Sequence, residues 1–355
     1  MEFVGRRVVG LFAPLLAAAA LVPVVPAAAD QPGPPAVAAA LIASARPADD
    51  GTRMTKAVPN LDRFIDLTVH SAAMDTDITV KILRASDTST PAPTLYLLNG
   101  SSGGDGDSGG GWTDQTDMVG FFADKQVNVV VPIGGRGSYF TDWRTADPVL
   151  GRPLWTTFLT EELPPVIDSA LHTDGTAAIA GVSMSGTSVF QLAMAAPGLY
   201  KAIGSYSGCV ETSNPQGQAM VGAVVGRWSG DPVNMWGPPG DPTWAAMDPY
   251  LHADRLRGTA IYVSSGTGWP GPLDTMDGPG IGGDPVKLIA QMLSGALLET
   301  VTDTCTHALQ GRFAALQIPA TFRFRPTGTH SWGYWQQDLH DSWPMFADAL
   351  GVDGS

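Results

Sequence analysis

The chain has 355 residues, a formal net charge of −14 and only 15% charged residues, which excludes a basic face able to neutralise a phosphate backbone and so removes nucleic acid as a partner. An apolar share of 44% belongs to a globular chain rather than a disordered one. The 42 Gly and 29 Pro point to many turns and long shaped loops.

Arg6 and Arg7 precede an apolar run, Val8 to Val25, that ends in Pro26-Ala27-Ala28-Ala29. A positive start, an apolar middle and an Ala-x-Ala end are the three parts of a secretory signal. Residues 1–29 therefore read as an export signal, with Pro14, Pro23 and Pro26 arguing against a retained membrane anchor. No later stretch is apolar for long enough to span a bilayer. Residues 30–57, rich in Ala and Pro, read as a flexible leader, and 58–355 as one domain. The expected location is secreted or cell-wall.

Phe64–Val69 and Ile78–Leu83 read as a leading strand pair. Thr94–Leu98, Val127–Val131 and Ala177–Ala180 are short, nearly continuous apolar runs, the signature of strands buried on both faces. Ala202–Tyr206, Ala260–Val263 and Ala320–Phe324 continue the series. Helical patterns fall at Met118–Lys125, Thr157–Ala170, Thr187–Ala196 and Val286–Thr300, with a further amphipathic helix around His340. This alternation predicts an α/β domain with a largely parallel central sheet flanked by helices, whose chemistry lies in loops beyond the C-terminal strand ends.

Export makes a disulfide the default for Cys209 and Cys305, an even pair in an oxidising compartment. Neither has a His or Cys at ligand spacing and no HExxH occurs, so no metal and no organic cofactor are expected.

Gly181-Val182-Ser183-Met184-Ser185-Gly186 runs from a strand into a helix. It follows the nucleophile-elbow pattern, Gly-x-Ser-x-Gly, except that Ser185 stands where the second Gly is expected. Small flanking residues let the backbone double back and present the Ser183 hydroxyl. Among six histidines, His330 follows the last strand by a short loop, the place of the base in that arrangement. The acid, which must hold the imidazole in one tautomer, stays open on these grounds among Asp274, Asp277, Glu299, Glu211 and Asp303.

Taken in order from about residue 94 to 345, several pieces are similar to the antigen 85 mycolyltransferases and their corynebacterial relatives. They are Tyr96-Leu97-Leu98-Asn99-Gly100, Val131-Pro132-Ile133-Gly134-Gly135, Ser138–Trp143, Phe158–Pro164, the segment around Ser183, Met235-Trp236-Gly237-Pro238, and Gly328-Thr329-His330-Ser331-Trp332-x-Tyr334-Trp335. The resemblance implies an α/β-hydrolase fold, with Glu299, 31 residues before His330, as the acid. It implies an oxyanion hole from the backbone N–H groups of Met184 and Ser101. The antigen 85 branch has Asp and Arg contacting trehalose where this chain has Asn99 and Ser102, so these become candidate sugar contacts. Trp236, Trp269 and Trp332 are candidate aromatic walls.

The implied function is a secreted acyltransferase that moves a mycoloyl group from trehalose monomycolate to a sugar hydroxyl, of trehalose or cell-wall arabinan, through a serine acyl-enzyme. Its partners would be the trehalose mycolate donor and a sugar or alcohol acceptor, with peripheral contact with cell-envelope lipids. A secreted carboxylesterase would use the same triad with water as acceptor. A wall- or fibronectin-binding protein is the alternative of another class, since Phe158–Pro164 resembles a stretch linked to fibronectin binding.

Overall fold

In the strand Thr94–Leu98, Tyr96 and Leu98 pack into one apolar cluster while Leu95 and Leu97 pack into another. Successive side chains of a strand point to opposite faces, so this segment is buried on both sides, as its unbroken apolar run implies. A computed structural model describes residues 1–2, 5, 33–61, 63–105 and 110–354. Among these, nine strands form one sheet: β1 (Arg53–Leu61), β2 (Phe64–Ser71), β3 (Thr76–Leu83), β4 (Thr94–Leu98), β5 (Asn128–Ile133), β6 (Ala177–Val182), β7 (Tyr200–Tyr206), β8 (Ala260–Gly266) and β9 (Thr321–Arg325). Their order is β1-β2-β3-β5-β4-β6-β7-β8-β9. The pairings from β1 through β3 to β5 are antiparallel. From β5 to β9 they are parallel. This is an α/β-hydrolase architecture, and residues 34–355 form one compact unit.

The longer helices are α1 (Pro34–Ser44), α2 (Leu163–Leu171), α3 (Met184–Ala195), α4 (Pro215–Arg227), α5 (Pro285–Leu316) and α6 (Trp332–Leu350). Leu163, Val166 and Ile167 of α2 and Val189 and Leu192 of α3 join the cluster of Tyr96 and Leu98. Leu339, Trp343 and Phe346 of α6 join that of Leu95 and Leu97 on the other face.

The expected flexible leader is corrected over residues 34–57. Leu41 of α1 is buried, Arg46 N–H donates to Ser169 Oγ at 2.8 Å, and β1 pairs with β2 from Arg53↔His70 to Leu61↔Phe64. The strand was hidden because a register shift between Met54 and Lys56 separates the buried Met54 and Ala57 by two exposed residues. A bulge of that kind breaks the period-two pattern by which strands are read. Pro59 lies in the same strand, tolerable because β1 is at the sheet edge. The expected export signal at 1–29 lies almost wholly outside the described residues. Among the described residues, no helix is long and apolar enough to cross a membrane.

Helix lengths also differ from expectation. The pattern at Met118–Lys125 yields only Met118–Phe121. Thr157–Ala170 becomes a helical turn at Trp155–Thr157, a π-turn at Phe158–Glu162, and α2. In the opposite sense, α5 runs 16 residues past Thr300, to Leu316. There Thr300, Thr304 and Thr306 turn their hydroxyls onto the carbonyls of Ala296, Thr300 and Thr302 at 2.8–3.0 Å. Such back-bonding absorbs polar groups that would otherwise compete with the helix.

Candidate active site

β6 ends at Val182 and α3 begins at Met184, leaving Ser183 alone to make the turn, with φ 56° and ψ −121°. A non-glycine residue at positive φ costs of order 1–3 kcal/mol and persists only where its surroundings over-determine it. Here they do. Ser183 N–H donates to Tyr206 O at 2.8 Å. A Cβ at Gly181 would lie 2.6 Å from Ser185 O, and one at Gly186 2.9 Å from Gly208 Cα. The Ser185 side chain holds the turn from inside. Its Oγ accepts from Val182 N–H at 2.9 Å and lies 3.0 Å from the carbonyls of Leu98 and Val182. The hydroxyl that replaces the second glycine thus ties the elbow to the end of β4.

His330 Nε2 lies 2.7 Å from Ser183 Oγ, and its Nδ1 lies 2.8 Å from Glu299 Oε2. A carboxylate only accepts, so Nδ1 carries the proton and Nε2 accepts from the serine. Glu299, on α5, is fully buried. Its Oε1 accepts from Ser207 Oγ at 2.8 Å, Gly266 N–H at 2.6 Å and Arg325 Nη2 at 3.2 Å. These donors replace the water that an ionised carboxylate loses on burial. Trp335 stands perpendicular to the His330 ring at 4.9 Å and donates its Nε1–H to Ser207 Oγ at 3.0 Å. Together these groups can do acyl chemistry: a hydroxyl, a base in line with it, and an acid that fixes the base.

The three side chains open into a cleft of about 400 Å³. Ser101 and Met184 line it, beside the nucleophile. Met184 opens α3, where the first N–H groups have no partner within the helix. Ser101 O accepts from Gly137 N–H at 3.0 Å, which ties its turn to the loop after β5. Met220 and Val224 of α4 and Leu298 of α5 make one wall apolar.

The Esterase family model matches residues 71–346. The diacylglycerol acyltransferase/mycolyltransferase Ag85A of Mycobacterium leprae is 34% identical over 297 residues, which is 81% of this chain and 83% of that protein. Ag85A of Mycobacterium tuberculosis is 32% identical over 328 residues, 89% and 90% of the two chains. The chain belongs to this esterase family. Among solved structures, MPT51 (FbpC1) of Mycobacterium tuberculosis superimposes with a TM-score of 0.66 at 24% identity, over 82% of this chain and all of that one. An S-formylglutathione hydrolase from Agrobacterium tumefaciens does so at 0.58 and 15% identity, over 84% and 100%. These two likenesses speak to the fold.

Within the family frame, several expected contacts move. Asn99 is wholly buried and cannot touch a sugar: its Nδ2 donates to Pro132 O at 3.2 Å and its Oδ1 accepts from Trp112 N–H at 3.0 Å. That pair of roles needs an amide, since a carboxylate could not donate to Pro132. Trp236 is buried behind the cleft, against Tyr139 at 5.8 Å and Trp244 at 5.1 Å. Trp269 is 73% exposed and is not among the lining residues. Ser102 and Trp332 do line the cleft.

Of the other carboxylates, Asp274 supports the base from behind. It accepts from Thr329 Oγ1, next to His330, and from Tyr334 OH at 2.9 Å. Asp303 accepts from Ser265 Oγ at 2.8 Å. The Glu211 carboxyl, pushed up by burial, lies 3.5 Å from Asn214 Nδ2. Asp277 is exposed, its carboxyl held low by Thr275. Glu299 is the one that meets His330. Sequence reasoning missed Ser207 and Arg325, which carry no motif.

Cys209 and Cys305 form a disulfide across a separation of 96 residues, which the chain-entropy model values at roughly 4–5 kcal/mol. Its position says more. Cys209 lies two residues after Ser207, Cys305 six after Glu299, and Ser207 and Glu299 are hydrogen-bonded. The bridge therefore clamps the acid to a residue that orients it. Reduction is expected to lower turnover of a soluble ester at reductant concentrations where the tertiary signal is still native. One titration reading rate and near-UV circular dichroism checks this; coincident midpoints would reduce the bridge to a staple.

Proposed function

We propose that this protein is a secreted acyltransferase that moves a long mycoloyl-type chain from trehalose monomycolate to a sugar hydroxyl through an acyl-enzyme on Ser183. The observation that carries the reading is the hydrogen-bonded run Ser183–His330–Glu299 at 2.7 and 2.8 Å, opening on a cleft with an apolar wall. His330 takes the serine proton as Oγ attacks the ester carbonyl. The resulting oxyanion faces the N–H groups of Met184 and Ser101, a type of contact worth on the order of 10²–10³ in rate. The C–O bond to the donor sugar then breaks, and that sugar leaves with the proton from His330. An acceptor hydroxyl, deprotonated by the same imidazole, attacks the acyl-enzyme and frees Ser183. The relatives named diacylglycerol acyltransferase/mycolyltransferase support this direction over plain hydrolysis.

A lipid donor also suits the outside of α5. Val286, Ile289, Leu293 and Leu297 form one stripe, each 57–72% exposed, on the helix whose Ser294 and Leu298 line the cleft. Exposed apolar stripes of this size mark interaction surfaces. In a chain of net charge −14, contact with envelope lipids would rest on apolar burial rather than on attraction to anionic headgroups.

The test is purified protein with trehalose monomycolate, or a short-chain acyl trehalose, with and without added trehalose. The expected result is an acylated sugar whose yield rises with acceptor concentration at the expense of free acid. Free fatty acid alone at every acceptor concentration would overturn the transfer reading in favour of a carboxylesterase.

A further inference from the structure

Behind the acid of the candidate triad lies a second carboxylate. Arg325, at the end of β9, reaches Asp338 on α6 through Nη1, 2.5 Å from both carboxylate oxygens, while its Nη2 lies 3.2 Å from Glu299 Oε1. All three are withdrawn from solvent: the side chains of Arg325, Asp338 and Glu299 are 13%, 2% and 0% exposed. The guanidinium also lies over the Tyr334 ring at 5.3 Å. A single buried cation is thus shared by two buried anions.

We propose that Arg325 and Asp338 are positioning residues for the acyl chemistry, Arg325 aiming the Glu299 carboxylate and Asp338 leaving the buried cluster with one surplus negative charge for His330 to neutralise when it takes the serine proton. This rests on the reading of Ser183, His330 and Glu299 as the triad. Glu299 and Arg325 alone would cancel, and the imidazolium would then form beside a neutral pair. With Asp338 ionised the resting cluster carries −1, and proton transfer to His330 brings it to zero. In a low-dielectric interior that difference acts directly on the charged intermediate.

Among the described residues, the other groups that act on Asp338 bring no further cation; β8 adds the neutral hydroxyl of Ser264. β7 and β8 offer Tyr206 and Tyr262, buried phenols that burial raises and keeps neutral, and α5 offers Glu299, a like charge. Burial pushes the Asp338 carboxyl up to about 6 against the pull of Arg325. Burial alone would lower Arg325, yet the facing carboxylates of Asp338 and Glu299 raise it. The surplus charge is therefore present at neutral pH and is lost as pH falls through about 6.

The test is the pH profile of kcat/KM for hydrolysis of p-nitrophenyl butyrate, whose acid limb reports the whole cluster. Asp338→Asn removes a negative charge. It is expected to move that limb to lower pH by about half a unit or more and to lower kcat roughly tenfold, with KM unchanged. Arg325→Met removes the positive charge and is expected to move the limb the other way, with partial recovery of rate in Arg325→Lys. The double variant R325M/D338L removes one charge of each sign. Its limb should return close to that of the parent while kcat stays low, and exchange of a buried ion pair for apolar side chains is compatible with folding. Limbs unmoved in both single variants, or moved alike, would overturn the proposal. Should the parent enzyme fail to hydrolyse the ester, or Ser183→Ala hydrolyse it equally, the triad reading itself would fall instead.

Discussion

Ser183→Ala is expected to lower both acyl transfer and ester hydrolysis on the order of 10⁵–10⁶-fold in kcat, leaving only what the oxyanion hole and binding supply. The size follows from the geometry. His330 Nε2 is 2.7 Å from Ser183 Oγ, and without that hydroxyl the proton path has nothing at its end. Ser207 also stands at positive φ after a parallel strand, but its Oγ is held by Glu299 Oε1 at 2.8 Å and Trp335 Nε1 at 3.0 Å, away from His330 Nε2, so it is not placed to take over. Folding should be preserved, because the strained backbone at φ 56° is held by Gly181, Ser185 and the Tyr206 carbonyl rather than by the Oγ. Intact-mass measurement after brief exposure to an acyl donor should find an adduct on the parent enzyme at Ser183 and none on the variant. An adduct of equal yield on the variant would move the nucleophile elsewhere, and full biological function without the hydroxyl would favour a wall-binding role.

What could be read in advance follows how locally each feature is encoded. The elbow is a steric statement about six consecutive residues, so Ser183 is legible from Gly181 and Gly186 alone. His330 is legible from chain order, since the base follows the last strand. The acid is not. Up to Thr306 the buried line of α5 is Gly295, Glu299, Thr302, Cys305 and Thr306, with the apolar Leu309 and Phe313 continuing it only in the last turns, while Val286, Ile289, Leu293 and Leu297 of the first turns face outward. That inverts the usual rule for which stripe of a helix faces the core, so periodicity could not rank Glu299 above Asp274 or Asp277. The resemblance supplied it. Asn99 and Trp236 fail for a different reason: type and position were read correctly, but direction was not, because the loop after β4 turns the amide inward onto Pro132 and Trp112. Arg325 and Asp338, 13 residues apart on a strand and a helix, meet only after β9 and α6 have packed.

Glu299→Gln is expected to cost on the order of 10⁴-fold in kcat although the side chain keeps its shape. In the native site one carboxylate oxygen takes Nδ1–H of His330, and the other takes Ser207 Oγ, Gly266 N–H and Arg325 Nη2. Every neighbour is a donor. An amide has one acceptor end and one donor end, so either placement sets a donor against a donor. With the amide oxygen toward His330, its NH₂ confronts Gly266 N–H, which lies only 2.6 Å from the carboxylate oxygen in the native site, and the Arg325 guanidinium beside it. With the amide reversed, Nδ1 must accept, the proton moves to Nε2, and the imidazole can no longer take the proton of Ser183. Both arrangements also remove the anion that balances the imidazolium. The loss should therefore fall on kcat with KM for a soluble ester nearly constant, and acyl-enzyme formation in the pre-steady state should slow with it. Activity within tenfold of the parent, with an unfolding midpoint also unchanged, would remove Glu299 from the reaction and return Asp274, which holds Thr329 beside His330, as the carboxylate to be tried next.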